Sequence, residues 1–440
     1  MKIKTLLLGS VAAAGLSTGA FAADLGVLTS LDVCDALGLS GLTISSDTNC
    51  LQITGSVEYE FKWGNYEAGE LLVQTSENGG LGTEAFNIAD ADGAAGSELD
   101  WDSRVTSWIK FVATADSDFG PAKAVIKIKD VKRTQVVNEG AATTGSDTGG
   151  AIFDEAYVSI GDSTVIMAGK KGTIMNVGDD VPLNFLGLFN SSNVDTGVKW
   201  ASGAVAGNFL GDGGHVIQIV SDLGNGVSVG AALENLGDTV TAEAGTAVGV
   251  ISYAGDGIAA HLTIVAGGIL DGTVEAWGYH AGFSGTFDIV KVVAAIAGDD
   301  SGYWNALASA SATFDMFTLA ISGEAANTTG GTDYGFGASA SAAVTDGITI
   351  NLGGRWYHDA SGVNDAYQVA AQLVAAVTET ITLTGEVGIY GNQLANDANT
   401  IYGAAQVSWA PGGDFTSSLK GEVYGNGAYK ATFKAAKTFQ

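Results

Sequence analysis

Three lysines in one short run, Lys123, Lys127 and Lys129, alternate with Ala122, Ala124, Ile126 and Ile128. Successive side chains of a β-strand point to opposite faces. Such a run therefore sets ammonium groups on one face and apolar groups on the other. Lys62, Arg104 and Lys110 fall on the polar side of similar alternations. The chemistry this offers is electrostatic: a strip of fixed cations that attracts anions and repels cations.

Signals for covalent chemistry are weak. Gly226-Val227-Ser228-Val229-Gly230 matches a nucleophile pattern that requires strand, turn and then helix, but here it lies inside a strand after a turn. No H-E-x-x-H, phosphate-binding or dinucleotide-binding pattern occurs. His215, His261, His280 and His358 are spread along the chain and read as wall or interface residues rather than ligands. Gly255-Asp256-Gly257 and Gly413-Asp414 lack the nine-residue period of calcium repeats and read as turns. No catalytic residue, metal ligand or cofactor is expected, although loop carboxylates could hold calcium.

The 440 residues include 64 Gly and 3 Pro, with a formal charge of −29. Charged residues make up 15%, and the mean hydropathy is +0.23. A disordered acidic chain needs lower hydrophobicity, and a chain this acidic repels phosphate, which excludes nucleic acid as a partner. The cations are unevenly placed. Eleven lie between Lys62 and Lys199, whereas residues 200–419 hold only Lys291 and Arg355 against 21 acids.

Met1-Lys2-Ile3-Lys4, a small apolar run and Ala20-Phe21-Ala22 read as a signal peptide over residues 1–22. Its removal leaves 17 cations and 48 acids, a charge of 17 − 48 = −31. Export favours a Cys34–Cys50 disulfide, which closes a segment over residues 23–50. No later segment has 18 consecutive apolar residues, a pattern that speaks against helices but not against membrane strands.

From Cys50 onward, period two dominates. Val57, Tyr59, Phe61 and Trp63 alternate with Glu58, Glu60 and Lys62; Tyr429, Ala431, Phe433 and Ala435 alternate with Lys430, Thr432 and Lys434. Short turns punctuate the strands at 116–120, 161–163, 223–226, 255–257, Ser284-Gly285, 314–316, 345–347, 378–380 and 411–414. Longer polar stretches lie between them. Nine hairpins plus a first and a last strand predict about twenty strands. The alternation runs almost throughout, with no helical stretch to cover a sheet. Trp63, Trp101, Trp108, Tyr157, Trp356, Tyr390, Tyr402, Trp409 and Tyr429 gather towards strand ends, as in an interfacial girdle. The expected fold is all-β, a transmembrane antiparallel barrel over residues 51–440 with an even strand number.

Val33-Cys34-Asp35-Ala36-Leu37-Gly38 and Asp47-Thr48-Asn49-Cys50-Leu51-Gln52-Ile53-Thr54-Gly55 resemble the N-terminal signature of the alphaproteobacterial outer-membrane porins. Asp118-Phe119-Gly120-Pro121-Ala122-Lys123-Ala124 and Phe153-Asp154-Glu155-Ala156-Tyr157-Val158 are similar to that family's next hairpins. The resemblance implies a homotrimer of 16-stranded barrels in a Gram-negative outer membrane, in contact with lipid and lipopolysaccharide. It also implies a loop, about 171–213 here, folded into the pore. The chain departs from the pattern in its higher strand count and in ending on Gln440 after Phe439.

Within that loop, Asp179, Asp180 and Asp195 would face the basic strip and set a transverse field across the constriction. The reading is a passive channel for small hydrophilic solutes. Two alternatives stand beside it: a channel selective for one solute class, and an exported acidic β-rich surface protein such as an adhesin or surface-layer component.

Overall fold

The computed structural model describes residues 31–65, 71–75, 82–85, 100–138, 141–146, 149–175, 213–237, 245–328, 331–358, 360, 366–392, 399–425, 427 and 429–440. The signal segment, Asp179, Asp180 and Asp195 lie outside the described residues. A short helix, α1 (Leu31–Ala36), comes first. The strands β1 (Thr43–Ser45), β2 (Asn49–Asn65), β3 (Leu71–Thr75), β4 (Gly82–Ala85), β5 (Asp100–Ala115), β6 (Ala122–Asn138), β7 (Ala141–Ser146) and β8 (Ile152–Gly161) follow. Next come β9 (Thr164–Lys171), β10 (Gly214–Gly224), β11 (Val227–Glu234), β12 (Thr246–Gly255), β13 (Ile258–Gly267), β14 (Ala276–Phe287), β15 (Val290–Asp299) and β16 (Trp304–Phe314). The last are β17 (Phe317–Thr328), β18 (Gly331–Thr345), β19 (Ile348–His358), β20 (Ala366–Ala376), β21 (Ile381–Asn392), β22 (Asn399–Gly412), β23 (Phe415–Tyr424) and β24 (Tyr429–Phe439).

These strands close into an antiparallel ring. β2 pairs with β5, β5 with β6 and β6 with β8; β8 to β24 then pair in chain order, and β24 returns to β2. The main sheet holds 22 strands; β1 lies along the end of β2 and β7 along the end of β6, leaving 22 − 2 = 20 in the wall among the described residues. Twenty agrees with the hairpin count and exceeds the sixteen implied by the resemblance. β3 and β4 form a separate ribbon near β20 and β21.

The turns expected at 223–226, 255–257, 314–316 and 345–347 lie at one end of the ring. Asn225-Gly226 and Asp256-Gly257 are two-residue connections in which both residues have positive φ. That is the type I′ geometry whose twist matches the flanking strands, and Asn, Asp and Gly tolerate it best. One expected turn is displaced. Ser284-Gly285 lies inside β14, and the chain reverses at Asp288-Ile289, where Asp288 takes φ 55°. An Asp that adopts the left-handed region makes the turn there, and Gly285 simply pairs with Ile258 and Val292.

Burial is inverted relative to a water-soluble sheet. Along β13, His261 is 6% exposed, Leu262 40%, Thr263 0%, Ile264 52% and Val265 0%. Cross-strand partners share a face, so the register carries the inner face around the ring through Thr263, His280, Ala297, Asn305, Ala326 and Asp333. The outer face carries Ile251, Phe336, Leu352, Val387 and Ile401, all exposed. Apolar surface costs about 25 cal/mol per Å² in water, so a continuous apolar exterior of this kind is stable in lipid. Among the described residues no helix is long and apolar enough to cross a membrane; the strands are the elements that can.

At the seam, β24 stops where Phe439 meets Gly55, and β1 continues along the same edge of β2 through Cys50–Gln52. A Cβ on Gly55 would lie 2.3 Å from Phe439 Cζ, so glycine lets the terminal aromatic ring lie flat across the seam. The Cys34–Cys50 disulfide is present and buried, with a Cα–Cα distance of 5.0 Å, and ties α1 to the start of β2.

Two expectations follow. Ile264→Arg should lower barrel stability in lipid vesicles by roughly 2–4 kcal/mol, read by urea titration of the heat-modifiable band. A change below about 0.5 kcal/mol, the ordinary surface range, would put β13 outside lipid. Replacing Cys34 and Cys50 together by Ser should expose the segment before β2 to protease while the ring, closed by the β2–β24 ladder, keeps its heat-modifiable migration. Loss of that migration would mean that the disulfide, rather than the ladder, holds the ring closed.

Candidate functional site

The inner wall divides into two sectors of unlike charge. In the first, the ladders bring Glu60 opposite Arg104, Arg104 opposite Arg133, Lys110 opposite Lys127, Trp108 opposite Lys129 and Thr114 opposite Lys123. Lys62, Arg104, Lys110, Lys123, Lys127 and Lys129 therefore share the inner face with Glu60 and Tyr157, as their alternation predicts.

Closure of the ring enlarges this sector beyond the first strands. β24 sets Lys430 opposite Gly64, Thr432 opposite Lys62 and Lys434 opposite Glu60, and β23 adds Lys420 beside Thr432. The sequence alternation had marked Lys430 and Lys434 as polar-face residues. Their adjacency to Lys62 is a consequence of the β2–β24 ladder alone. Arg133, Lys420, Lys430 and Lys434 are thus strip residues that sequence reasoning missed.

The strip is partly neutralised by its own acids. Lys62 and Lys434 reach Glu60 at 2.7 and 2.5 Å, Lys110 reaches Glu155 at 2.8 Å, and Lys127 reaches Asp154 at 2.6 Å. Arg133 grips Asp102 with two bonds of 3.0 Å. Lys420 and Lys430 share Glu422 at 3.0 and 3.5 Å, and the Tyr424 hydroxyl donates to the same carboxylate. The partly exposed Lys110–Glu155 and Lys127–Asp154 pairs contribute roughly 0–1 kcal/mol each, and around buried Glu60, Asp102 and Glu422 the attraction is largely offset by the cost of desolvation. Their main effect is therefore to shape the field along the wall and only slightly to stabilise the fold.

The second sector, from β10 to β22, carries Glu234, Asp299, Glu324, Asp333 and Glu386 on the inner face by register. Glu386 is buried and accepts from the Tyr402 hydroxyl at 2.7 Å and from Gln372 Nε2 at 2.8 Å. Gln372 Oε1 in turn accepts from Asn351, and Tyr402 accepts from Gln368. A buried carboxylate needs such donors, because desolvation without them costs several kcal/mol. In the connection after β15, burial pushes the Tyr303 hydroxyl pKa up, and Asp299 and Asp333 act in the same direction.

The start of the connection after β9 turns onto this wall. Ile174 and Met175 pack on Ala232, Val248 and Val265, an apolar patch of the inner face. Gln218 Nε2 donates to the Gly172 carbonyl at 2.8 Å and to Glu234 Oε1 at 2.9 Å, and the Ile174 amide donates to that same oxygen at 3.0 Å. Residues 172–175 thus lie against the inner wall; the rest of the loop expected at about 171–213 lies, but for Gly213, outside the described residues. The acids expected within that loop lie outside the described residues.

Several other expected positions differ. Trp63, Trp101, Trp356, Trp409 and Tyr429 fall on the outer face by register, but Trp108, Tyr157 and Tyr402 fall on the inner one. Proximity to a strand end says nothing about face; parity along the strand decides it. Ser228 shares a hydrogen bond of 2.7 Å with Ser252 within the β11–β12 ladder, and a strand, not a helix, follows the turn. His261 and His280, far apart in sequence, meet on the inner wall with ring centres 4.8 Å apart. Among the described residues, no three of His, Cys, Asp and Glu gather as a metal site.

No family model matches the chain. It is 25% identical over 304 residues to porin Omp2a of Brucella ovis, covering 63% of this chain and 72% of that one. It is 24% identical over 301 residues to porin Omp2b of Brucella suis biovar 1, covering 63% and 68%. A Sinorhizobium fredii protein assigned by name to the outer membrane is 28% identical over 169 residues; the match spans 37% of this chain and 41% of that protein's length. Among solved structures, the anion-selective porin from Comamonas acidovorans has a TM-score of 0.36 at 13% identity, over 89% of this chain and all of that one. Outer-membrane expressed OmpT of Vibrio cholerae has a TM-score of 0.37 at 12% identity, over 90% of this chain and all of that one. The chain is a closed antiparallel β-barrel with an apolar exterior, similar in sequence to named Brucella porins and to a Sinorhizobium outer-membrane protein.

Proposed function

We propose that the ring is a water-filled passive channel for small hydrophilic solutes, assembled as a homotrimer, and that it catalyses no reaction. The observation that carries the reading is the face pattern of the wall: its large exposed apolar side chains point outward, and its charged and hydrogen-bonding side chains share the inner face with mostly small apolar ones. A barrel packed shut by an apolar core would carry mainly large apolar side chains on its inner face and few charged ones.

The mechanism is size exclusion with a superimposed field. Two unit charges 10 Å apart in water interact by about 0.4 kcal/mol, and salt at physiological strength screens over about 8 Å. A single lysine therefore does little at the pore axis. A strip of cations facing a row of acids acts on solutes only where the passage is narrow enough to bring them near the wall. That is the role assigned to the loop rooted at Gly172–Met175. The basic strip then opposes the cation preference that the overall acidity would impose.

Purified, detergent-folded protein should give discrete conductance steps in planar bilayers, and the reversal potential in a salt gradient should report its charge preference. Absence of steps would leave the surface-protein reading instead. Replacing Lys123, Lys127 and Lys129 together by Glu should move the reversal potential towards cation selectivity; an unchanged value would remove these lysines from the pathway. Glu234→Ala withdraws the acceptor that holds Ile174 and Gln218. It should produce noisier open-channel current and gating at lower voltage, whereas currents identical to the native ones would mean that this anchor does not hold the constriction.

A further inference from the structure

The inner wall is made mostly of small or uncharged polar side chains, yet in the part of the basic strip built by β5, β6 and β8 two aromatic rings turn inward, Trp108 and Tyr157. Trp108 lies directly across the ladder from Lys129, and the Lys127 ammonium sits 5.4 Å from its ring centre. Tyr157 lies one strand further on, with the Lys171 ammonium 5.5 Å from its ring centre. Trp108, Lys127, Lys129 and Tyr157 are all partly exposed, and Lys123 is exposed. Lys110 and Lys127 already hold Glu155 and Asp154, whereas neither Lys123 nor Lys129 has a carboxylate within 4.0 Å among the described residues.

A partly exposed indole on a water-facing wall gains little from burial. Its position beside the Lys127 ammonium and across the ladder from Lys129 is useful to a ligand that combines a flat ring with negative charge. A carboxylate could bridge Lys127 and Lys129 through charge-assisted hydrogen bonds while its ring lies against the indole, an arrangement aromatic pairs favour beyond area burial alone. An aliphatic carboxylate uses only the first interaction, and a neutral ring only the second. From this we infer that Trp108, Lys127 and Lys129, bordered by Tyr157, form a subsite for carboxylates bearing an aromatic ring. The inference rests on the channel reading and names a solute class within it.

The test is block of single-channel current in potassium chloride by benzoate, compared with cyclohexanecarboxylate, which has similar size and equal charge but no flat ring. In the native protein, the half-blocking concentration of benzoate should be lower by about threefold or more, the size of one aromatic contact. Trp108→Leu, which keeps an apolar side chain, should abolish that difference with chloride conductance intact. Lys129→Gln should weaken block by both acids. Equal block by the two acids in the native protein, or a benzoate preference unchanged in Trp108→Leu, overturns the subsite while leaving the channel standing. Absence of chloride conductance in the native protein overturns the channel reading itself, and the subsite with it.

Discussion

Within lipid no water is present to satisfy an unpaired backbone amide or carbonyl, and each one left open costs several kcal/mol. That constraint makes the β2–β24 ladder the contact on which the rest depends. Its register, from Gly55 opposite Phe439 to Asn65 opposite Tyr429, removes the two edges that a twenty-strand sheet would otherwise expose. The seam is reinforced where β24 ends, because β1 takes over the same edge of β2 and the Cys34–Cys50 bond holds the preceding helix against it. A sheet open at this point would present unpaired edges to lipid or to other chains.

Closure also determines the electrostatics. Without it, Lys430 and Lys434 belong to the far end of the chain and Glu60 and Lys62 to the near end. With it, they form one interleaved patch in which Glu60 serves lysines from both ends. The opposite sector retains its acids by a different device. Glu386 accepts from Tyr402 and Gln372 on its two carboxylate oxygens, whereas Glu234 takes Gln218 and the Ile174 amide on Oε1 and keeps a buried Oε2 without a hydrogen-bond partner among the described residues. The wall is thereby polarised by strand order, before any loop is added.

Much of this was legible in the chain. Asn225-Gly226 and Asp256-Gly257 announce their turns because few residue types accept positive φ, and period two marks both faces of β2, β6 and β24. Ser284-Gly285 misled because glycine has two uses in a barrel wall, as a turn residue and as a strand residue under close neighbours, and type alone does not separate them. The girdle reading misplaced Trp108, Tyr157 and Tyr402 for a similar reason: an aromatic ring near a strand end suits an interface, but the parity of the strand, set by its partners, sends these three inward. Gln218 and Glu234 gave no signal, since their role appears only once the chain after Lys171 bends onto β10 and β11.

The sequence by itself determined the strands, their two faces and the basic run at Lys123–Lys129, because those depend on local alternation and on which residues tolerate a tight turn. Only the tertiary structure decided the closure of β24 onto β2, the joining of the C-terminal lysines to the N-terminal strip and the placing of Trp108 beside Lys127 and across from Lys129. Those depend on register between segments distant in sequence, where a shift of one residue would exchange the inner and outer faces of a strand.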